Sequence, residues 1–443
     1  MPQPDKPTYR EALKFWFKLG WISFGGPAGQ IAILHEFLVE KKKWISEKKF
    51  LHALNYCMLL PGPEAQQLAT YTGWLLHGTK GGLTAGLLFI LPSVFILLGL
   101  SLIYVEYGNL PWVYSIFEGL KPAVVAIVIV AMIKIGKRSL TSPIHYIVAA
   151  LSFIAIFFFN VPFPLIILFT LLIAFILKNI SPKLFQQKTQ NKTKNDDESE
   201  FYLKTTSVIP NTGFSLSRLI RQLVIFILLW SIPMILFYSF SNNFKFWKDL
   251  SLFFTQAAFV TFGGAYAVLP YVAQKAVESF HWLNSLQMID GLALGETTPG
   301  PLIMVLAFVG FMGAYNQFNF SLLAASLGLL ATTYYTFLPC FLFIFVGAPL
   351  IEKTQQNNSV KIILSFVTAA VTGVVLNLTI FFGEAVLFGR NYTKFSEINF
   401  NELNYINLIW IIISFFALQR FKIDMMLWIG ISAVMGLIKY FLM

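Results

Sequence analysis

Long apolar runs follow one another along almost the whole chain, at about 13–39, 50–77, 81–106, 111–135, 144–178, 219–240, 249–277, 286–314, 320–348, 360–388, 404–419 and 423–442. The intervening polar sequence is too short to cover that much hydrocarbon surface in water. Of the 443 residues, 57% are hydrophobic and 12% charged, where a soluble domain carries about a quarter charged. Lipid is therefore the expected solvent. Runs of this length read as helices, so the fold class is an all-α polytopic membrane protein.

The formal net charge is +11. On a soluble chain that excess would point to nucleic acid. Here it sits in short loops, where it sets orientation in the bilayer, and no nucleic-acid partner is expected. Lys6, Arg10, Lys14 and Lys18 precede no short apolar core with a small-residue cleavage site, so no secretory signal is expected. Cys57 and Cys340 lie within apolar runs and read as core filler. The five histidines lack metal-ligand spacing, so neither a metal nor another cofactor is expected. Residues 181–217 are polar, mixed in charge and without periodicity, and read as a solvated cytoplasmic linker with little fixed structure. The chain thus divides into 1–180, the linker 181–217, and 218–443.

An internal repeat relates the two large parts. Phe24-Gly25-Gly26 recurs as Phe262-Gly263-Gly264, Trp44 as Trp282, Glu40 as Glu278, and Pro61-Gly62-Pro63 as Pro299-Gly300-Pro301, each pair 238 positions apart. Leu91-Pro92 recurs as Leu338-Pro339 at a spacing of 247. The loop at 40–49 carries five lysines, whereas its counterpart at 278–287 carries no Lys or Arg. Basic loops stay cytoplasmic, so the same element is expected to face opposite sides in the two copies. The expected architecture is two homologous helical halves in inverted orientation. The alternative is two parallel halves whose loops have drifted.

Four runs are interrupted near their middles, by FGGPAG, PGP, FGG and TTPGP. Proline and glycine break helices, leaving arms that span about half of a hydrocarbon core roughly 30 Å thick. Each run is either a broken spanning helix or a re-entrant hairpin. Positive-inside bookkeeping favours hairpins, because they bring Lys80 and the Lys134, Lys137 and Arg138 cluster to the cytoplasmic face. Lys245, Lys248, Arg390 and Lys394 then fall outside, against the rule.

Backbone without helical bonds at mid-bilayer must line a cavity or be buried in protein. Helices restarting near Ala28, Glu64, Ala265 and Leu302 would each present unpaired N–H groups and a positive dipole end. Four such ends converging would hold an oxyanion without a buried lysine. The candidate binding residues are Ser23, Gly25, Gly26, Gln30, Gly62, Glu64, Gln66, Gln67, Tyr71, Thr261, Gly263, Gly264, Thr297, Thr298 and Gly300, with Thr70 beside them. The competing reading treats the breaks as kinks that let helices pack closely. Glu64 and Glu296 flank the proline breaks and are candidates for proton coupling, or else are capping carboxylates. Lys121 has Glu118 three residues earlier, which allows a helical pair; the favoured reading places it at a helix entrance instead.

The segments SFGGPAGQI (23–31), LPGPEAQQLA (60–69), GWLLHGTKGGL (73–83) and FILPS (89–93) closely resemble the chromate ion transporter family. TFGGAYAVLPYV (261–272) and GETTPGPLIM (295–304) are similar to its second-half motifs, in the same order. The resemblance implies a long-chain, two-domain carrier of the plasma membrane that extrudes chromate, a tetrahedral dianion like sulfate, and confers resistance. The expected partners are that oxyanion and the lipid bilayer, with a homodimer left open. A sulfate importer or anion channel on the same scaffold is the alternative function. An enzyme is not expected, since HExxH, GxSxG and paired-Asp motifs are missing. A purely scaffolding protein would give the matched breaks no role.

Overall fold

In the computed structural model, residues 6–180, 198–205, 207, 215–241, 243–351, 358–391 and 399–442 are described. They form α1 (Tyr9–Ile22), α2 (Gly26–His35), α3 (Glu47–Cys57), α4 (Glu64–Tyr107), α5 (Pro111–Ser139), α6 (Pro143–Phe159), α7 (Phe163–Ile180) and α8 (Leu216–Phe240). The second half continues with α9 (Phe244–Val260), α10 (Ala265–Ala273), α11 (Ser285–Thr297), α12 (Val305–Gln317), α13 (Leu322–Ile351), α14 (Asn358–Phe388), α15 (Tyr405–Gln419) and α16 (Met425–Leu442). Six of these are long and apolar enough to cross a membrane: α4, α5, α8, α13, α14 and α16. The protein is an all-α polytopic membrane protein.

The sequence repeat is written into the backbone. Gly25, Gly26 and Gly62 have positive φ, and so do their counterparts Gly263, Gly264 and Gly300. Lys43 and His281, also 238 apart, both adopt φ 52°. After α2 and α10 the chain widens into matching π-helical turns, Glu36–Lys41 and Gln274–Ser279. Ser46 caps α3 through its hydroxyl, and Asn284 caps α11 at the equivalent place, there in a full capping box with Gln287.

The broken runs fold as hairpins. α1 runs back along the π-helical turn that continues α2: Phe15 stacks on Phe37 with ring centroids 3.6 Å apart, and Lys42, just past that turn, pairs with Glu11 at 2.7 Å. The reversal is at Ser23–Gly25. The expected division between the 50–77 and 81–106 runs falls inside α4, which doubles back at His77 and Gly78, both outside helical φ/ψ. The two arms touch at glycines. A Cβ on Gly73 would strike the carbonyl of Gly81, and one on Gly81 the carbonyl of Gly73. Gly310 and Gly328 meet in the same manner between α12 and α13. His77 Nε2 lies 2.9 Å from the Pro7 carbonyl, so this turn sits beside the start of α1. The start of α1, the lysine-rich loop after α2 and the α4 turn therefore share one end of the molecule. Gly20, near the end of α1, abuts Leu88 and Pro92. That places the α1–α2 break level with the middle of the 79–107 arm.

Gly82 packs on Phe345 and Gly86 on Phe341, so the long arm of α4 and its counterpart α13 run antiparallel. α5, of the first half, packs on α11, α14, α15 and α16, all of the second half. α8 lies at the periphery, with no residue buried.

Two expectations need correcting. Lys121 is not at a helix entrance: it is 5% exposed, a third of the way along α5, paired with Glu118 at 2.5 Å and 3.9 Å from Asp290 of the other half. Within the expected loose linker, residues 198–205 are fixed in place. Leu203 is buried and bridges to Ile45, and its carbonyl accepts from Ser46 N at 2.9 Å. The remainder of 181–217, apart from 207 and 215–217, lies outside the described residues.

Candidate functional site

The four breaks meet in two reciprocal pairs. Gly300 N donates to the Ser23 carbonyl at 2.8 Å, and Gly62 N donates to the Thr261 carbonyl at 2.7 Å. Under the 238-residue repeat Ser23 corresponds to Thr261 and Gly62 to Gly300, so these are one bond made twice with the halves exchanged. The same exchange holds for the contacts behind the tips. Gly300 lies against Ser93 of α4, and Gly62 against Cys340 of α13, the equivalent position. Ser93 also donates its hydroxyl to the Pro299 carbonyl. Such mutual contacts are the mark of a twofold relationship.

Positive φ explains the glycines here. At Gly62 φ is 123°, and a Cβ would fall 2.7 Å from Gln67 Nε2 and 2.9 Å from Cys340 Sγ. At Gly300 φ is 95°, and a Cβ would overlap Ser93 Oγ. Gly25, Gly26 and Gly264 face open space instead. α2 starts at Gly26, two residues before the expected Ala28; α4 and α10 start at Glu64 and Ala265, and after the fourth break a single 3-10 turn, Leu302–Met304, precedes α12.

Several polar side chains clamp the tips. Gln30 Nε2 donates to the Gly300 carbonyl at 2.6 Å and to the Ser23 carbonyl at 3.3 Å, bridging one pair. Gln67 Nε2 donates to the Pro61 carbonyl at 2.7 Å, and Gln66 Nε2 to Thr70 Oγ1 at 3.1 Å. The hydroxyls of Ser23, Thr70, Thr261, Thr297 and Thr298 donate back to their own helices, at Leu19, Gln66, Ala257, Leu294 and Gly295. Tyr71 is fully buried two turns into α4, its ring packed on Tyr56 and Trp74, away from the breaks.

Glu64 and Glu296 both come to the breaks, 9% and 4% exposed. Tyr266, at the start of α10, donates its hydroxyl to Glu296 Oε1. Two α5 cations, Arg138 and Lys134, lie within electrostatic range of Glu64 and Glu296 respectively, without pairing with them. Arg138 reaches Met58, which caps α3 three residues before the PGP break, with Nη2 3.1 Å from the sulfur. Lys134 and Arg138 are one helical turn apart and both exposed. Their spacing is the signal that could have found them. They form an exposed basic stripe at the lysine-rich end of α5. Such a stripe attracts anions, and charge-assisted bonds from Lys or Arg are the strong ones. Among the described residues no cluster of ligands suits a metal ion.

Paired helical hairpins meeting inside a polytopic bundle, with cations nearby, are the arrangement of a membrane transporter. The chain belongs to the chromate transporter family: the family model described as chromate transporter matches residues 10–176 and 248–437. It is 27% identical over 385 residues to a probable chromate transport protein of Synechococcus elongatus, covering 86% of each chain. It is likewise 27% identical over 378 residues to a chromate transport protein of Cupriavidus metallidurans, covering 84% of this chain and 83% of that one. An uncharacterised transporter of Methanocaldococcus jannaschii is 26% identical over 440 residues, 98% of this chain and 96% of the other. No solved structure matches the chain.

Proposed function

We propose that the chain is a secondary transporter that carries chromate, or a related tetrahedral oxyanion such as sulfate, out of the cell across the plasma membrane. The reading takes the two halves as inverted repeats. The reciprocal Gly300–Ser23 and Gly62–Thr261 bonds and the antiparallel packing of α4 on α13 support this. In this reading the anion binds where the breaks meet. Helix starts at Gly26, Glu64, Ala265 and Leu302 supply N–H groups, and Lys134 and Arg138 supply charge. Gly25, Gly26, Gly62, Gly263, Gly264 and Gly300 give the backbone its close approach. Gln30 and Gln67 hold the tips in register, Gln66 braces Thr70 within α4, and Ser23, Thr261, Thr297 and Thr298 line the tips.

The single observation that carries the proposal is the pairing of all four breaks around the crossing of α4 and α13. Arg138 stands in the last turn of α5, at the lysine-rich end, with Lys134 one turn deeper. A basic end is the cytoplasmic end, so the cations receive the anion from inside, which favours efflux. Glu64 and Glu296 carry protons in exchange. The test is anion flux into proteoliposomes containing the purified chain, with chromate, sulfate and chloride compared with and without a pH gradient. Saturable chromate flux that responds to the gradient is expected. Gradient-independent chloride conductance would replace the carrier by a channel, and faster sulfate than chromate movement would make sulfate the substrate.

A further inference from the structure

A second polar cluster lies apart from the breaks. A cavity of about 570 Å³ opens between the loop at 108–110, the start of α11 and the end of α12. That is the end opposite the lysine-rich loop, since α4 runs from its turn at Gly78 to Tyr107. Asp290 and Lys121 both line it. Asp290 is 4% exposed and sits on α11 six residues before Glu296. Its Oδ2 accepts from the Tyr104 hydroxyl at 3.0 Å. Its Oδ1 makes no hydrogen bond, and Lys121 Nζ stands 3.9 Å from it, beyond hydrogen-bond reach. Lys121 itself is held by Glu118 at 2.5 Å and lies 5.4 Å from the centre of the Tyr114 ring.

The balance of charge decides what such a site takes. Asp290 and Glu118 oppose a single ammonium, so the ionised cluster carries one net negative charge. An anion is repelled there, and one added positive charge completes it. A buried carboxylate oxygen without a hydrogen-bond donor, at the wall of a cavity, is a proton acceptor, and a buried ionisable group is costly unless it is used. The titratable groups facing Asp290 are Tyr104 on α4, and Tyr114, Glu118 and Lys121 on α5. Tyr315 of α12 lines the same cavity. Among the described residues, α14 and α16, which also pack on α11, place no titratable side chain in the cavity wall.

We propose that Asp290, set against Lys121 at the wall of this cavity, is a proton-binding site that couples the pH gradient to anion movement. The inference rests on the transporter reading above. The step transfers one proton from hydronium reaching the cavity to Oδ1, leaving water and forming a carboxyl O–H, while Lys121 stays paired with Glu118. The proton leaves by the reverse step once the site faces the other side, and α11 carries the change to Glu296 and the breaks.

The experiment compares the wild-type chain with Asp290→Asn in proteoliposomes, under two regimes: chromate–chromate exchange without a gradient, and net flux driven by an imposed pH gradient. Asp290→Asn is expected to retain exchange and to lose the gradient-driven acceleration by about tenfold, within the usual range of coupling factors. A gradient response equal to wild type overturns the proposal. Lys121→Met gives a second arm. Removing a nearby cation makes Asp290 hold its proton to higher pH, so the pH profile of gradient-driven flux should move upward; an unmoved profile overturns the proposal. Difference infrared titration of the full chain in nanodiscs reads the carboxyl without any anion. A protonated-carboxyl band that disappears in Asp290→Asn is expected, and the same band in both chains counts against the site. If the wild-type chain moves no chromate in either regime, the transporter reading fails, while the infrared titration still decides whether Asp290 binds a proton.

Discussion

Gly62 and Gly300 carry the two backbone bonds that join the halves, and both combine positive φ with a neighbour where Cβ would stand. Gly300→Ala should therefore lose about 1–3 kcal/mol of stability from backbone strain alone, with the Ser93 overlap added. A lowered thermal unfolding midpoint in detergent checks this. Gly99→Ala is the matched control, because nothing lies within 4 Å of a Cβ there; it should leave the midpoint unchanged or slightly raised. Arg138→Gln should raise the KM for the anion by about tenfold, the loss of about 1.4 kcal/mol expected for one exposed charge-assisted contact. Concentration-dependent flux measures it. These residues differ in how far the sequence discloses them. The glycines were legible because the repeat shows them twice. Lys134 and Arg138 read as loop charge, and Asp290 as one acid in an apolar run, because only the fold brings α5 near the breaks and α11 toward Lys121.

The hairpins make the clearest claims about elements. The lysine-rich loop at 42–46 and the α4 turn at 77–79 share one end, and residues 108–110 lie at the other. A membrane-impermeant thiol reagent should then label Lys43→Cys and Thr79→Cys from the same side and Asn109→Cys from the opposite side. A broken-spanning arrangement would separate Lys43 from Thr79. The two native cysteines, fully buried, should stay unlabelled. The strap at 198–205 is pinned by Glu198, whose carboxylate accepts from Thr205 N at 2.8 Å and from its hydroxyl at 2.6 Å. Burial would push that carboxyl up, but the Thr205 bonds, with the charge of Lys48 and a bond from Ser46, outweigh it and hold it below its usual range. A depressed carboxyl stabilises the docked form above its unfolded value and loses that contribution as pH falls through the folded one. The strap should thus stay protected from protease at neutral pH and open only below about pH 4. Loop charge favoured hairpins, and with them a reversal between the 50–77 and 81–106 runs that keeps Lys80 at the cytoplasmic end, where α4 turns at His77 and Gly78. How closely the two arms pack was not legible, because it depends on the contacts between Gly73 and Gly81.

At the scale of the whole molecule, the apolar runs dictated a helical membrane protein and the 238-residue spacing dictated two related halves. The reciprocal bonding of those halves lay beyond sequence, because it depends on contacts between segments more than 190 residues apart. The central claim is that the four breaks and the α5 cations together hold one anion. It is tested most directly by chromate flux in proteoliposomes carrying the Lys134→Gln, Arg138→Gln double variant beside the wild-type chain, both shown to be folded by their unfolding midpoints. The account predicts saturable chromate flux in the wild type and its loss in the double variant. Equal flux in both would contradict it.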